Sequence, residues 1–258
     1  MKKLIITAAA GLTFFASQAS AIAGLVDVEV GGGTWGPTLT GDVAYGANAT
    51  EMDLEKDLGI ESDANSYMYM RFDHFIPIVP NLRVDIQNYT ATGTGTATGD
   101  FNGVTFGTDT TTDITLNQTD IILYWGIPGV NALTAGILDI EFGIDVKQIE
   151  GEIALTSASA SAEPADFSAS IPLLYAAVLV DIPFIPVALE VSAKQLGSIV
   201  NETKAKIDFT LPLPIPLIDI GIEAGMKQQT IAITDDIVED LEVTIDNSGV
   251  FFGANVKF

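Results

Sequence analysis

Apolar and polar residues alternate with a period of two along most of the chain beyond residue 24. In AGILDIEFGIDVKQ (135–148), Leu138, Ile140, Phe142, Ile144 and Val146 fall on one side of an extended chain, and Asp139, Glu141, Asp145 and Lys147 on the other. That spacing predicts a β-strand with one apolar and one charged face. The same reading predicts ten strands, at 25–35, 64–76, 82–98, 111–125, 133–149, 167–182, 187–198, 203–211, 217–233 and 241–258. The second sets Met68, Met70 and Phe72 against Arg71 and Asp73, and the third sets Leu82, Val84 and Ile86 against Arg83 and Asp85. In the seventh, Leu189 and Val191 oppose Glu190 and Lys194; in the eighth, Ile207 and Phe209 oppose Asp208; in the ninth, Ile220, Ile222 and Met226 oppose Glu223 and Lys227.

The connections between these strands come in two kinds. Those at 76–81, 126–131, 182–187 and 211–216 are short, apolar and rich in proline, which fixes φ and donates nothing to a ladder. Those at 36–63, 99–110, 150–166, 199–202 and 234–240 are polar, acidic or of low complexity. The two kinds alternate strictly, as they do in an up-and-down meander that gathers short turns at one end and long loops at the other.

Charge decides which face meets water. The chain carries 11 Lys+Arg against 34 Asp+Glu, a formal net charge of −23, which excludes nucleic acid as a partner. In the segment after residue 21, the basic residues other than Lys56 fall on the polar faces of strands, within reach of carboxylates. That confinement predicts a lumen lined by compensating charges: Arg71, Arg83, Asp85, Asp139, Glu141, Lys147, Glu190, Lys194, Asp208, Glu223 and Lys227. The apolar faces then meet lipid. Only a closed barrel leaves no strand edge unpaired there. The fold expected is all-β, a transmembrane antiparallel up-and-down barrel of about ten strands, with eight or twelve as the neighbouring even counts. Aromatics near the short turns (Phe75, Tyr124, Trp125, Phe184, Phe209) are expected to form one interfacial girdle, and Trp35 and Tyr175 to belong to the other.

Residues 1–21, MKKLIITAAAGLTFFASQASA, have the two lysines, apolar stretch and small-x-small end of a cleaved export signal, leaving 22–258 as the barrel. With no cysteine there is no disulfide framework and no thiolate chemistry.

The ending GVFFGANVKF, with Phe252, Gly253, Val256 and Phe258, resembles the C-terminal strand signal of bacterial outer-membrane barrels read by the barrel-assembly machinery. More broadly, DLEKDLGIES followed by HFIPIVPNLRVDI is similar to a family of small outer-membrane barrel proteins of Gram-negative bacteria. The resemblance implies a fold and a place in the cell outer membrane, with lipid, lipopolysaccharide and the assembly machinery as partners. It brings no activity.

Candidate chemistry is sparse. His74, the single histidine, lies beside a proline turn on the lipid-facing parity, where it has no nucleophile to serve. There is no nucleophile elbow, paired metal-binding histidine or phosphate loop. The segment 50–63 reads as an acidic helix capped by Thr50, packed down by Met52, Leu54 and Leu58 and stopped by Gly59; its carboxylates do not keep the spacing of a calcium loop. No cofactor is implied. Ten strands enclose too little space for a general pore. The sequence therefore points to a non-enzymatic envelope protein with acidic outer loops for envelope integrity or surface interaction, the alternative being a narrow channel or lateral-exit path for small solutes.

Overall fold

The alternating segments pair edge to edge until the last meets the first. In the computed structural model, which describes residues 26–61, 63–107 and 109–258, the elements run β1 Val26–Tyr45, β2 Met52–Asp53, β3 Asn65–His74, β4 Asn81–Thr96, β5 Gly99–Phe101, β6 Val104–Phe106 and β7 Asp109–Gly126. A single helical turn, α1 Val130–Leu133, precedes β8 Leu138–Ser157, β9 Ala165–Ile182, β10 Val187–Leu196, β11 Val200–Thr210, β12 Asp219–Ile233 and β13 Leu241–Lys257. The export signal read at 1–21 lies outside the described residues. Ten of these strands form one antiparallel sheet, each beside its predecessor, and β13 returns to β1 in register from Glu29↔Lys257 to Tyr45↔Leu241. Phe258 completes the seam, donating its amide to the Val28 carbonyl at 2.9 Å.

Several strands run beyond the predicted ends. β1 continues to Tyr45 and β8 to Ser157, because polar and small residues there keep the period of two while changing which kind faces out. Along β4 the outward side chains are Leu82, Val84 and Ile86, then Asn88, Thr90, Thr92 and Thr94; the inward ones are Arg83, Asp85 and Gln87, then Tyr89 and Ala91. In β8 the outward Ile144 and Val146 give way to Gln148, Glu150 and Glu152, and the inward Asp145 and Lys147 to Ile149, Ile153 and Leu155. β13 runs the same sequence in reverse, from outward Thr244, Asp246 and Ser248 to Val250, Phe252 and Ala254. The barrel is thus apolar outside and charged inside along the half bearing the proline turns. In the half bearing the long loops it has an apolar core and a polar exterior, as in water.

The apolar core of that second half holds Tyr89, Leu116, Ile149, Ile153, Val243 and Ile245, all nearly inaccessible. Its wall has a gap. β3 stops at Asn65 while its neighbours β1 and β4 run on, and the segment 46–61 fills the space between them. Met52 and Asp53 pair with Val43 and Asp42 of β1, Ile60 bridges to Gly93 of β4, and the Glu61 amide donates to the Thr92 carbonyl at 3.2 Å. The helix expected at 50–63 does not form. These pairings pull the segment into β-bridges and turns, and Thr50 bonds the Asp100 amide instead of capping a helix. Met52, Leu54 and Leu58 nevertheless pack down as expected, fully buried, and Gly59 turns the chain with φ +63°. Asp53 accepts the Glu55 and Lys56 amides and pairs with the Lys56 ammonium at 2.5 Å, which holds its carboxyl below the usual range.

The plug lies so close to β4 that a Cβ on Gly95 would overlap the Asp57 carbonyl. We expect Gly95→Val to destabilise the fold by about 1–3 kcal/mol through this overlap and to expose 46–61 to proteolysis. The gel mobility shift between folded and heated barrel should survive. Unchanged proteolysis would contradict the packing.

Candidate functional site

Among the described residues, the charged lumen is the one concentration of chemistry-bearing side chains in the membrane half. Strand pleat and register build it. Successive inward positions two residues apart deliver Arg71 and Asp73 from β3, Arg83 and Asp85 from β4, Asp120 from β7, Glu141, Asp145 and Lys147 from β8 and Glu190 and Lys194 from β10. From β11 come Glu202, Lys204, Lys206 and Asp208, and from β12 Glu223 and Lys227.

Near the proline turns, Arg71 forks between Asp73 and Glu141, each at 2.5 Å, under the hydroxyls of Tyr124, which donates to Asp73, and Tyr175, which donates to Glu141. Asp139 stands half-buried at the mouth beside Arg71. Further in, Arg83 binds Asp85 at 2.7 Å and, across the lumen, Glu190 at 2.9 Å. Lys206 lies between Glu190 at 3.4 Å and Glu223 at 3.3 Å, with the Tyr69 hydroxyl 2.6 Å from both Glu29 and Glu223. Asp208 is held by Asn255 at 2.6 Å. Where the lumen meets the apolar core, Lys147 contacts Asp120 at 2.6 Å and Glu202 at 3.2 Å, and Lys194 contacts Asp120 at 3.0 Å and Asp85 at 3.1 Å. Lys227 reaches Gln87 and Glu202 and lies 4.8 Å from the centre of the Trp35 ring.

The eleven lumen positions read from the sequence therefore sit on the lumenal face, with Asp139 at its mouth. Sequence reasoning placed Tyr69 on the polar face of its strand but passed over other partners that complete the network: Glu29, Asp120, Glu202 and Gln229. Asp120 and Glu202 stand on the polar parity of their strands, so the alternation itself held the signal. Three aromatics are corrected. Trp35, Tyr124 and Tyr175, expected at the lipid interface, point into the lumen, because their parity is that of the charged residues and each has a charged side chain to contact. The outward aromatics near the turns include Phe75, Trp125, Phe142, Phe184 and Phe209, with Trp125 stacked on Phe142. At the C-terminus Phe252 points outward and Val256 has the same parity, whereas Gly253 faces inward and leaves room for Tyr67 to reach Glu223.

His74 closes β3. Its Nε2 lies 3.1 Å from the Pro80 carbonyl and its Nδ1 accepts the Ile76 amide at 3.2 Å, so both ring nitrogens hold the turn.

An even-stranded closed barrel with an apolar outer belt, a charged lumen and short turns at one end is the outer-membrane type, and the chain spans the outer membrane with its strands. No protein-family model matches the chain, and no curated protein matches it. Among solved structures it is similar to the outer membrane protease OmpT of Escherichia coli, 8% identical over 91% of this chain and 96% of that one, with a TM-score of 0.45. It is also similar to OprG of Pseudomonas aeruginosa (11% identity, 91% and 96% coverage, TM-score 0.39) and to Ail, the attachment invasion locus protein of Yersinia pestis (8%, 91% and 99%, TM-score 0.38).

Truncating one member of a buried pair strands its partner. Lys147→Met leaves Asp120 and Glu202 short of a cation and should cost about 3–5 kcal/mol, with most of it recovered in Lys147→Met/Asp120→Leu. Urea unfolding in lipid vesicles measures both; equal losses in the single and double variants would deny the coupling.

Proposed function

We propose that this barrel is a non-conducting, non-enzymatic anchor that presents an acidic outer wall at the cell surface, for envelope integrity or contact with cationic groups there. One observation carries the reading: among the described residues, every lysine and arginine except Lys56 is directed into the lumen or its mouth, while the outward positions beyond the apolar belt are polar, small or acidic. Glu150, Glu152 and Asp166 face outward on neighbouring strands, with Glu152 directly opposite Asp166. Like charges in that relation repel, and a divalent cation or a basic partner relieves the repulsion. The lumen is filled in series by ion pairs, by the apolar core and by the plug, which supports an anchor over the narrow-channel alternative. The engagement of both ring nitrogens of His74 in a turn supports a non-enzymatic role.

In planar bilayers the protein should give no stepwise conductance across neutral pH, and steady single-channel steps would favour the channel reading instead. Glu150→Gln/Glu152→Gln/Asp166→Asn should weaken binding to a polycationic surface by roughly tenfold, about 1.4 kcal/mol, without changing the folded gel mobility. Undiminished binding would remove this face from the account.

A further inference from the structure

The four turns opposite the long loops are more apolar than a water-facing turn requires. Residues 75–80, 127–137, 183–186 and 211–218 contain no charged side chain. Ile78 is 87% exposed, Leu133 89%, and Phe184 wholly so. Phe184 and Leu217 take left-handed φ of 70° and 64°, where glycine would fit with less strain. What the bulky residues offer in return is apolar surface.

The belt on the strands is too short by itself. Outward apolar runs such as Leu82, Val84 and Ile86, or Ile140, Phe142, Ile144 and Val146, cover roughly 10–16 Å of height once tilted. The apolar band of such barrels is about 25 Å tall. The turns lie where the remainder is needed, continuous with the belt.

The backbone of two of these turns suits lipid too. Irregular chain is excluded from hydrocarbon because its amides go unbonded. In 211–216, Pro212, Pro214 and Pro216 have no amide hydrogen. The Leu211, Leu213 and Ile215 amides donate to the carbonyls of Ile220 at 2.8 Å, Leu211 at 2.7 Å and Leu213 at 2.9 Å. At 183–187, where Pro183 and Pro186 have no amide hydrogen, the Ile185 and Val187 amides are likewise bonded locally, to the Ile182 and Ile185 carbonyls. The acids beside the turns, Asp27, Asp73, Asp139, Asp181 and Asp219, all have lumenal parity, so the mouth stays wet while its outer rim is apolar.

We infer that these four turns are a lipid-binding rim, seated in the acyl chains and interfacial zone of the periplasmic leaflet, and that the barrel presents no proteinaceous docking surface there. The chain has no cysteine, so single replacements report on the rim directly. Full-length Ile78→Cys, Ile215→Cys and, as the wet-mouth reference, Asp219→Cys are compared in native outer membranes opened on both sides and in phosphatidylcholine vesicles, with folded gel mobility checked for each. With a membrane-impermeant maleimide, Ile78→Cys and Ile215→Cys should react at least about tenfold more slowly than Asp219→Cys in both settings. A bimane attached at either rim site should be quenched by brominated acyl chains. Rates equal to the reference, or no quenching, overturn the inference. Protection in native membranes that disappears in pure vesicles also overturns it, and would assign the rim to a protein partner.

Discussion

A closed barrel strand gives alternate side chains to lumen and exterior, so a single row at which both faces exchange character governs everything above and below it. In this chain the row runs through Ile86/Asn88 on β4, Val146/Gln148 on β8 and Ser248/Val250 on β13. On one side of it the solvent of the barrel is lipid and its core is charge. On the other side the solvent is water and its core is Tyr89, Leu116, Ile149 and their neighbours. No bend or domain break is needed, because only residue type changes while the ladder continues.

The two cores are held by different forces. Apolar burial stabilises the outer core directly. In the membrane half, apolar surface gains nothing by leaving lipid for the lumen, and the interior is satisfied by ion pairs instead. Such pairs contribute little net stability, because desolvation offsets their attraction, yet breaking one is costly. Their value lies in specificity. Lys147 meets Asp120 and Glu202 from β7 and β11 only when every intervening strand is in register. The same charges that fill the lumen also remove cations from the outside, so the acidic wall follows from the way the lumen is closed.

Much of this was legible in the sequence. The alternation at 135–148, the sorting of proline turns from acidic loops and the placing of lysines on charged parities led to the barrel, its strand number and its lumen. The strand ends escaped for one cause: parity was read without asking where along the strand the surroundings change. Residues 36–45 of β1 and 150–157 of β8 looked like loop sequence because strands are usually read by apolar faces, and here the apolar face had passed inside as Leu39, Val43, Ile153 and Leu155. Trp35, Tyr124 and Tyr175 were assigned by residue type to an interface, although their parity already placed them with the charges. The segment 50–63 has helical spacing, but Gly93 and Gly95 on a distant strand admit its backbone as a plug, a tertiary contact that local propensity does not encode.

The most direct measurement is a spin-label scan along the outward face of β4, at Leu82, Val84, Ile86, Asn88, Thr90 and Thr92, in reconstituted vesicles. Collisions with oxygen report lipid, and collisions with a water-soluble nickel chelate report solvent. An exchange row predicts high oxygen accessibility through Ile86 and an abrupt rise in nickel accessibility from Asn88 onward. Oxygen accessibility that continues undiminished to Thr92 would contradict it, placing the polar half in the membrane as well.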